Sequence, residues 1–187
     1  MKIFRILLIS VALMISLQAA SYGYADFGFY GGCLMPGQNE PGTSSESNGS
    51  QFGFIAHLAM NLPMLARFGI GGYYEHSLLS YDMTDENLSI LQRTIAIDGY
   101  AQLMLPSLPL HPFARVSIAA WENRESGLEN TTVYFQNYAM GGGLAYPISF
   151  EVVELNIYAE YLYGVSEFIF GKLSTSHMVH IGIRLYI

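Results

Sequence analysis

Charge is scarce in this chain. Only 12% of its 187 residues are charged and 51% are hydrophobic, against roughly 25% charged in an ordinary soluble domain. A fully water-bathed exterior is hard to assemble from so few ionic side chains, because a chain of this length still exposes much of its surface. Cysteine is scarcer still: Cys33 stands alone, which excludes an internal disulfide and with it a disulfide-stapled scaffold. Cys33 also lies too far past the N-terminal apolar run to be a lipidated terminus, and Tyr30-Gly31-Gly32 before it fits a lipoprotein signal poorly. It reads as a small strand residue. Long apolar runs are missing as well. After the first segment nothing approaches the ~18 apolar residues of a membrane-crossing helix. Basic residues are outnumbered, 8 Lys and Arg against 15 Asp and Glu, and that acidity argues against a nucleic-acid partner.

What is present begins with an export signal. Lys2 and Arg5 precede the uncharged apolar run 6–17, and the small residues Ala19-Ala20-Ser21 follow it. This is the pattern of a cleavable secretory peptide, and the run falls short of the ~20 residues a spanning helix needs. Residues 1–21 are therefore expected to be removed, leaving one domain over 22–187. Losing Lys2 and Arg5 deepens the formal charge of −7 by two. The sequons at Asn48, Asn87 and Asn130 are read as chance in a chain with a bacterial-type signal.

Beyond the signal, eight segments of alternating polarity, rich in Tyr, Phe, Val and Ile, predict strands near 24–34, 51–62, 65–76, 90–105, 112–121, 132–146, 152–163 and 177–187. The gaps alternate in length. Residues 35–50, 77–89, 122–131 and 164–176 are expected to be long loops, whereas Pro63, 106–111 and 147–151 are expected to be short turns. Long loops at one rim and short turns at the other are the pattern of an even-stranded outer-membrane barrel.

Alternation alone does not say which face is outside, since a soluble ligand-binding barrel alternates too. The polar faces decide it. In the last segment Val179, Ile181, Ile183, Leu185 and Ile187 oppose Met178, His180, Gly182, Arg184 and Tyr186. The second face is small and sparsely charged, suited to a narrow interior rather than to water. The fold expected is all-β, an eight-stranded antiparallel up-and-down transmembrane barrel.

Residues 138–147 and 155–163, with the closing His180-Ile181-Gly182-Ile183-Arg184-Leu185-Tyr186-Ile187, resemble the bacterial outer-membrane β-barrel domain proteins of the OmpA and OmpX type. That family usually ends on Phe, where this chain ends on Ile187. The resemblance implies a monomer in the bacterial outer membrane, inserted by the barrel-assembly machinery, with lipopolysaccharide and outer-membrane lipid as neighbours. It implies roles in envelope integrity, adhesion or surface interaction, and no single activity.

Strand parity turns Asp26, Glu75, Asp98, Glu154 and Glu160 inward together with Arg67, Arg115, Arg184, His57 and His180. An isolated charge in a narrow interior is costly, so these residues are expected to form a plugging network of ion pairs. Arg93 and His76 take outward parity near the upper strand ends, where lipid phosphates lie; Arg93 is either a lipid-phosphate contact or a loop residue. Ser176 and His177 are adjacent, so they point to opposite faces, and no catalytic set is expected. Neither a cofactor nor a metal is expected. Asp82, Asp85 and Glu86 match no calcium-loop spacing and, like Glu40, Glu46, Glu122, Glu125, Glu129 and Glu167, read as solvated loop charges. Phe52, Tyr74, Tyr134, Tyr146, Phe150, Tyr161 and Tyr163 are candidates for interfacial girdles. Parity from Arg115 turns Trp121 inward unless a bulge re-aims it. A narrow solute or ion channel, a lipid-modifying enzyme and a soluble exported ligand-binding barrel are the competing functional readings.

Overall fold

Side chains that alternate in polarity along the sequence alternate between two faces of a single antiparallel sheet. The computed structural model describes residues 23–36, 47–62, 66–82, 87–105, 107–126, 129–135, 137–151, 153–167 and 173–187. The expected signal lies outside them. The strands are β1 (Gly23–Pro36), β2 (Ser47–Leu62), β3 (Ala66–Asp82), β4 (Asn87–Leu103), β5 (His111–Ser126), β6 (Glu129–Val133), β7 (Asn137–Ser149), β8 (Glu154–Glu167) and β9 (Leu173–Tyr186).

Consecutive strands pair antiparallel, except β6 with β7, and the sheet closes where β1 meets β9, with Phe29 opposite Ile183. Along its other edge β5 pairs first with β7 and then with β6. Thus β6 and β7 are two halves of one stave, and the barrel has eight staves. The fold is a closed eight-stranded up-and-down transmembrane β-barrel. Among the described residues closure gives every strand but β6 a partner on both sides, and a lipid-facing sheet requires such closure.

The faces divide by polarity. Phe29, Phe52, Leu58 (71% exposed), Ile70 (67% exposed), Val116, Ile181 and Ile183 lie outside, while Asp26, His57, Glu75, Asp98, Arg115, Glu160 and His180 are buried inside. Since direct antiparallel partners share a face, the pairs Leu58↔Ile70 and Phe29↔Ile183 join into one continuous apolar exterior.

Several boundaries differ from the sequence-based expectation. Residues 77–82 belong to β3, 122–126 to β5, 164–167 to β8 and 173–176 to β9, so most of the expected upper loops are strand continuing beyond the apolar band. Hydrogen bonding persists there although the outward side chains become mixed, Leu78 being followed by Ser80, and the alternation of polarity fades. At the other rim Pro147 lies within β7 rather than in a turn. The expected continuous strand 132–146 is interrupted at Tyr134 and Phe135. Phe135 adopts a φ of 53° and donates its N–H to the Ala119 carbonyl at 2.9 Å. On β5 the register slips beside this break: Ala96 faces Ala119 but Ile95 faces Trp121. The extra residue, Ala120, forms a bulge, which turns Trp121 onto the outer face of Ile95.

Candidate functional site

The inward parity of seven staves converges on one hydrogen-bonded chain across the barrel. Tyr100 donates its hydroxyl to Asp26 Oδ2 at 2.6 Å, and Asp26 Oδ1 meets His57 Nδ1 at 2.7 Å. His57 Nε2 lies 2.9 Å from Asp98 Oδ1. Arg115 donates Nε to Asp98 Oδ2 at 2.7 Å and a terminal nitrogen to Glu160 Oε1 at 2.6 Å. From Glu160 the path continues through His180 Nδ1 at 3.0 Å, then from His180 Nε2 to Gln51 Oε1 at 2.9 Å. Gln51 donates to Glu75 Oε1 at 3.1 Å, and Tyr30 closes the series by donating to Glu75 Oε2 at 2.6 Å. Ser77 adds a third donor to Glu75 at 3.0 Å.

This arrangement has an electrostatic logic. Four acids, Asp26, Glu75, Asp98 and Glu160, face two guanidinium groups, Arg115 and Arg184, in the same buried region. An oxygen acceptor lies against both ring nitrogens of His57 and of His180.

Arg184 departs from the expected ion-pair network. No carboxylate oxygen lies within salt-bridge distance of it among the described residues. Its guanidinium sits over the rings of Tyr158 at 4.6 Å, Tyr100 at 4.7 Å and Phe113 at 5.2 Å. The cation is held by ring faces rather than by an acid. Near the lower rim Arg67 forms a separate group. It donates to Glu154 Oε1 at 2.7 Å and to Asn61 at 2.7 Å, and lies 3.9 Å over the Tyr186 ring. Asn156 binds Glu154 at 2.6 Å and receives Gln102 at 3.4 Å. Glu122, expected in a solvated loop, is instead 2% exposed, held by Arg124 at 2.7 Å and by Asn137. The bulge that turns Trp121 outward turns Glu122 inward. Of the other expected loop acids, Glu40, Glu46, Asp85 and Glu86 lie outside the described residues.

Interior glycines make room for the rings. Tyr30 is the direct partner of Gly53, Tyr100 of Gly69 and Tyr158 of Gly182. A Cβ at these glycines would lie 2.3, 2.1 and 2.7 Å from the facing ring. Each tyrosine therefore lies flat across its neighbour. Gly69→Val is expected to destabilise the barrel by about 1–3 kcal/mol, the usual range for overpacking, because the Tyr100 ring must leave both Asp26 and Arg184. Gly99→Ala, whose nearest contact would be 3.4 Å away, should change little. Urea unfolding in phospholipid vesicles measures both.

Charge on the inward parity singled out the acids, arginines and histidines but not Tyr30, Tyr100, Gln51, Ser77, Gln102 and Asn156, which complete their hydrogen bonds. All six share that inward parity. The available signal was neutral polar residues facing the axis rather than charge alone.

On the outer face, polar side chains enter near the upper rim, one outward position below the Leu78–Leu91 pair. Arg93 lies within β4, not in a loop, and donates to both oxygens of Glu125, at 2.9 and 3.3 Å. Its direct partner His76 stacks on Phe52 with centroids 5.1 Å apart and meets the Tyr74 hydroxyl at 2.7 Å. His177 is likewise flanked by Tyr161 and Tyr163, with its Nδ1 against the Tyr161 hydroxyl. Tyr134, Tyr146 and Phe150 are exposed too. Rings with a polar tip at the edge of an apolar band have the composition of an interfacial girdle. Among the described residues no cluster of side chains is arranged to hold a metal.

No protein-family profile matches the chain, and no curated protein matches it in sequence. Among solved structures it is similar to Neisserial surface protein A, at 12% identity and a TM-score of 0.50, over 86% of this chain and 95% of that one. It is also aligned with the attachment invasion locus protein of Yersinia pestis, solved with the heparin analogue sucrose octasulfate, at 11% identity and a TM-score of 0.42, over 87% of this chain and 99% of that one. The first likeness bears on fold: the chain shares the architecture of small outer-membrane barrels.

Proposed function

We propose that this chain is an outer-membrane barrel of the bacterial envelope with a structural or surface-interaction role, and that its interior is a plug rather than a conduit. The carrying observation is the unbroken side-chain series from Tyr100 through Arg115 to Tyr30, which links inward polar groups across the barrel. Eight staves leave an interior only wide enough for side chains. Purified protein in planar bilayers is expected to give no large, stable conductance steps, and their appearance would overturn the plugged reading.

Outer-membrane lipid and lipopolysaccharide are the proposed neighbours, and the assembly machinery the proposed route of insertion. Arg93 and His76, side by side at the upper edge of the band, suit lipid phosphates, although a phosphate bound there competes with Glu125 for the Arg93 fork. A non-enzymatic role is supported by Ser176 and His177, which take opposite faces of β9, the histidine engaged by Tyr161 outside the barrel. The similarity to a Neisserial surface protein is consistent with a surface role at the level of fold alone.

A further inference from the structure

The two rims of the barrel are chemically unlike. At the upper rim the outward face passes from Ile95 and Trp121 to Arg93 and Asn123 in two residues, and beyond the His76–Arg93 pair only the Leu78–Leu91 pair is apolar before Ser80 and Ser89 on β3 and β4. At the lower rim no such change occurs. The outward positions of the described strand ends there, Leu62, Leu103, Tyr146 and Leu185, are all apolar or aromatic. The apolar character then runs on into the connections. The turn between β4 and β5, closed by the Leu108 N–H on the Leu105 carbonyl at 2.9 Å, exposes Leu108 (48%) and Leu110 (41%), and Phe150 is exposed in the turn between β7 and β8. Glu151 is the first charged group met outside this rim among the described residues.

Short turns at the lower rim of such barrels ordinarily face water, where leucines side by side are unfavourable. Here they continue the lipid-facing surface without a break and carry no basic residue for a charged partner. We infer that the turn between β4 and β5 is sunk into the inner-leaflet phospholipid, with Leu108 and Leu110 among the upper acyl segments, so that the barrel is anchored more deeply at its lower rim than at its upper one. The inference rests on the proposed membrane-spanning reading. It adds a lipid-binding surface that the wall alone does not require.

Single nitroxide labels on full-length protein carrying Cys33→Ser test it, in vesicles of phosphatidylethanolamine and phosphatidylglycerol, with folding verified by heat-modifiable gel migration. A label at Leu108→Cys should collide with oxygen several-fold more readily than with a water-soluble nickel chelate, as should a label at Ile183→Cys on the wall. Nickel preference at 108 with oxygen preference at 183 overturns the inference and leaves the spanning reading intact. Nickel preference at both overturns the spanning reading itself. Protection of 108 from both reagents, with 183 still lipid-exposed, also overturns it, in favour of contact with a protein or a second copy.

Discussion

Arg115→Met is expected to cost about 3–5 kcal/mol of folding stability, the range for removing one partner of a buried ion pair. The arginine and both its acids are essentially inaccessible, with Asp98 Oδ2 at 2.7 Å and Glu160 Oε1 at 2.6 Å. Methionine fills much of the volume but leaves two carboxylates facing each other across a space that water enters poorly. The guanidinium also lies 4.8 Å from the Tyr73 ring centroid, a stacking contact that lysine in the same place would keep only in part. Arg115→Lys should therefore recover some of the loss, and Arg115→Met combined with Glu160→Gln should recover more than additivity allows, since the second change removes a charge the first stranded. The contrast is Arg93→Ala. Arg93 also makes a two-pronged bond to a carboxylate, but its side chain and that of Glu125 are 35% and 39% exposed, and a solvated pair of that kind is worth under about 1 kcal/mol. Urea-induced unfolding in vesicles at fixed pH measures all four. Equal costs for Arg115→Met and Arg93→Ala would mean that the interior is wet, and the plug would have to be abandoned.

Whatever depends on strand parity was legible in the amino-acid order, and whatever depends on distance around the barrel was not. In β9 the alternation from Met178 to Ile187 separates the two faces without reference to any other stave, because lipid selects one set of side chains and the packed interior the other. The same parity turned Asp26, Asp98, Arg115 and Glu160 toward the axis. Partnership was a different matter. Arg184 has inward parity like Arg115, but its radial neighbours are rings rather than acids, a fact fixed by the stagger of eight strands rather than by spacing in any one of them. Trp121 and Glu122 show how parity fails: one bulged residue, Ala120, exchanges their faces, and Ala119-Ala120 carries no mark that sets it apart from a regular strand. Strand ends were misjudged for a third reason. Above the apolar band both faces meet polar surroundings, so 77–82 and 122–126 lose their alternation while still hydrogen-bonded in register.

Ile70→Arg is expected to destabilise the folded barrel in membranes by about 2–4 kcal/mol, the depth-dependent cost of a guanidinium near the bilayer midplane on a barrel wall. Ile70 stands on the outer face between Phe68 below and the Tyr74–His76 pair above, with Leu58 as its direct partner. His76→Arg, three outward positions above Ile70 on the same strand, should cost no more than about 1 kcal/mol, because the rim allows the side chain to reach water and phosphate. The gradient between the two sites distinguishes the membrane barrel from a soluble one of the same topology. In a soluble barrel both positions face water, and arginine at either would be neutral or would improve solubility. Neither substitution touches the interior network, since the inward neighbours of Ile70 are Gly69 and Gly71, so any difference between them reports the surroundings of the wall. Unfolding free energies in vesicles that fall steeply at 70 and little at 76 are the expected pattern, and a flat profile would leave no reason to put acyl chains against this face.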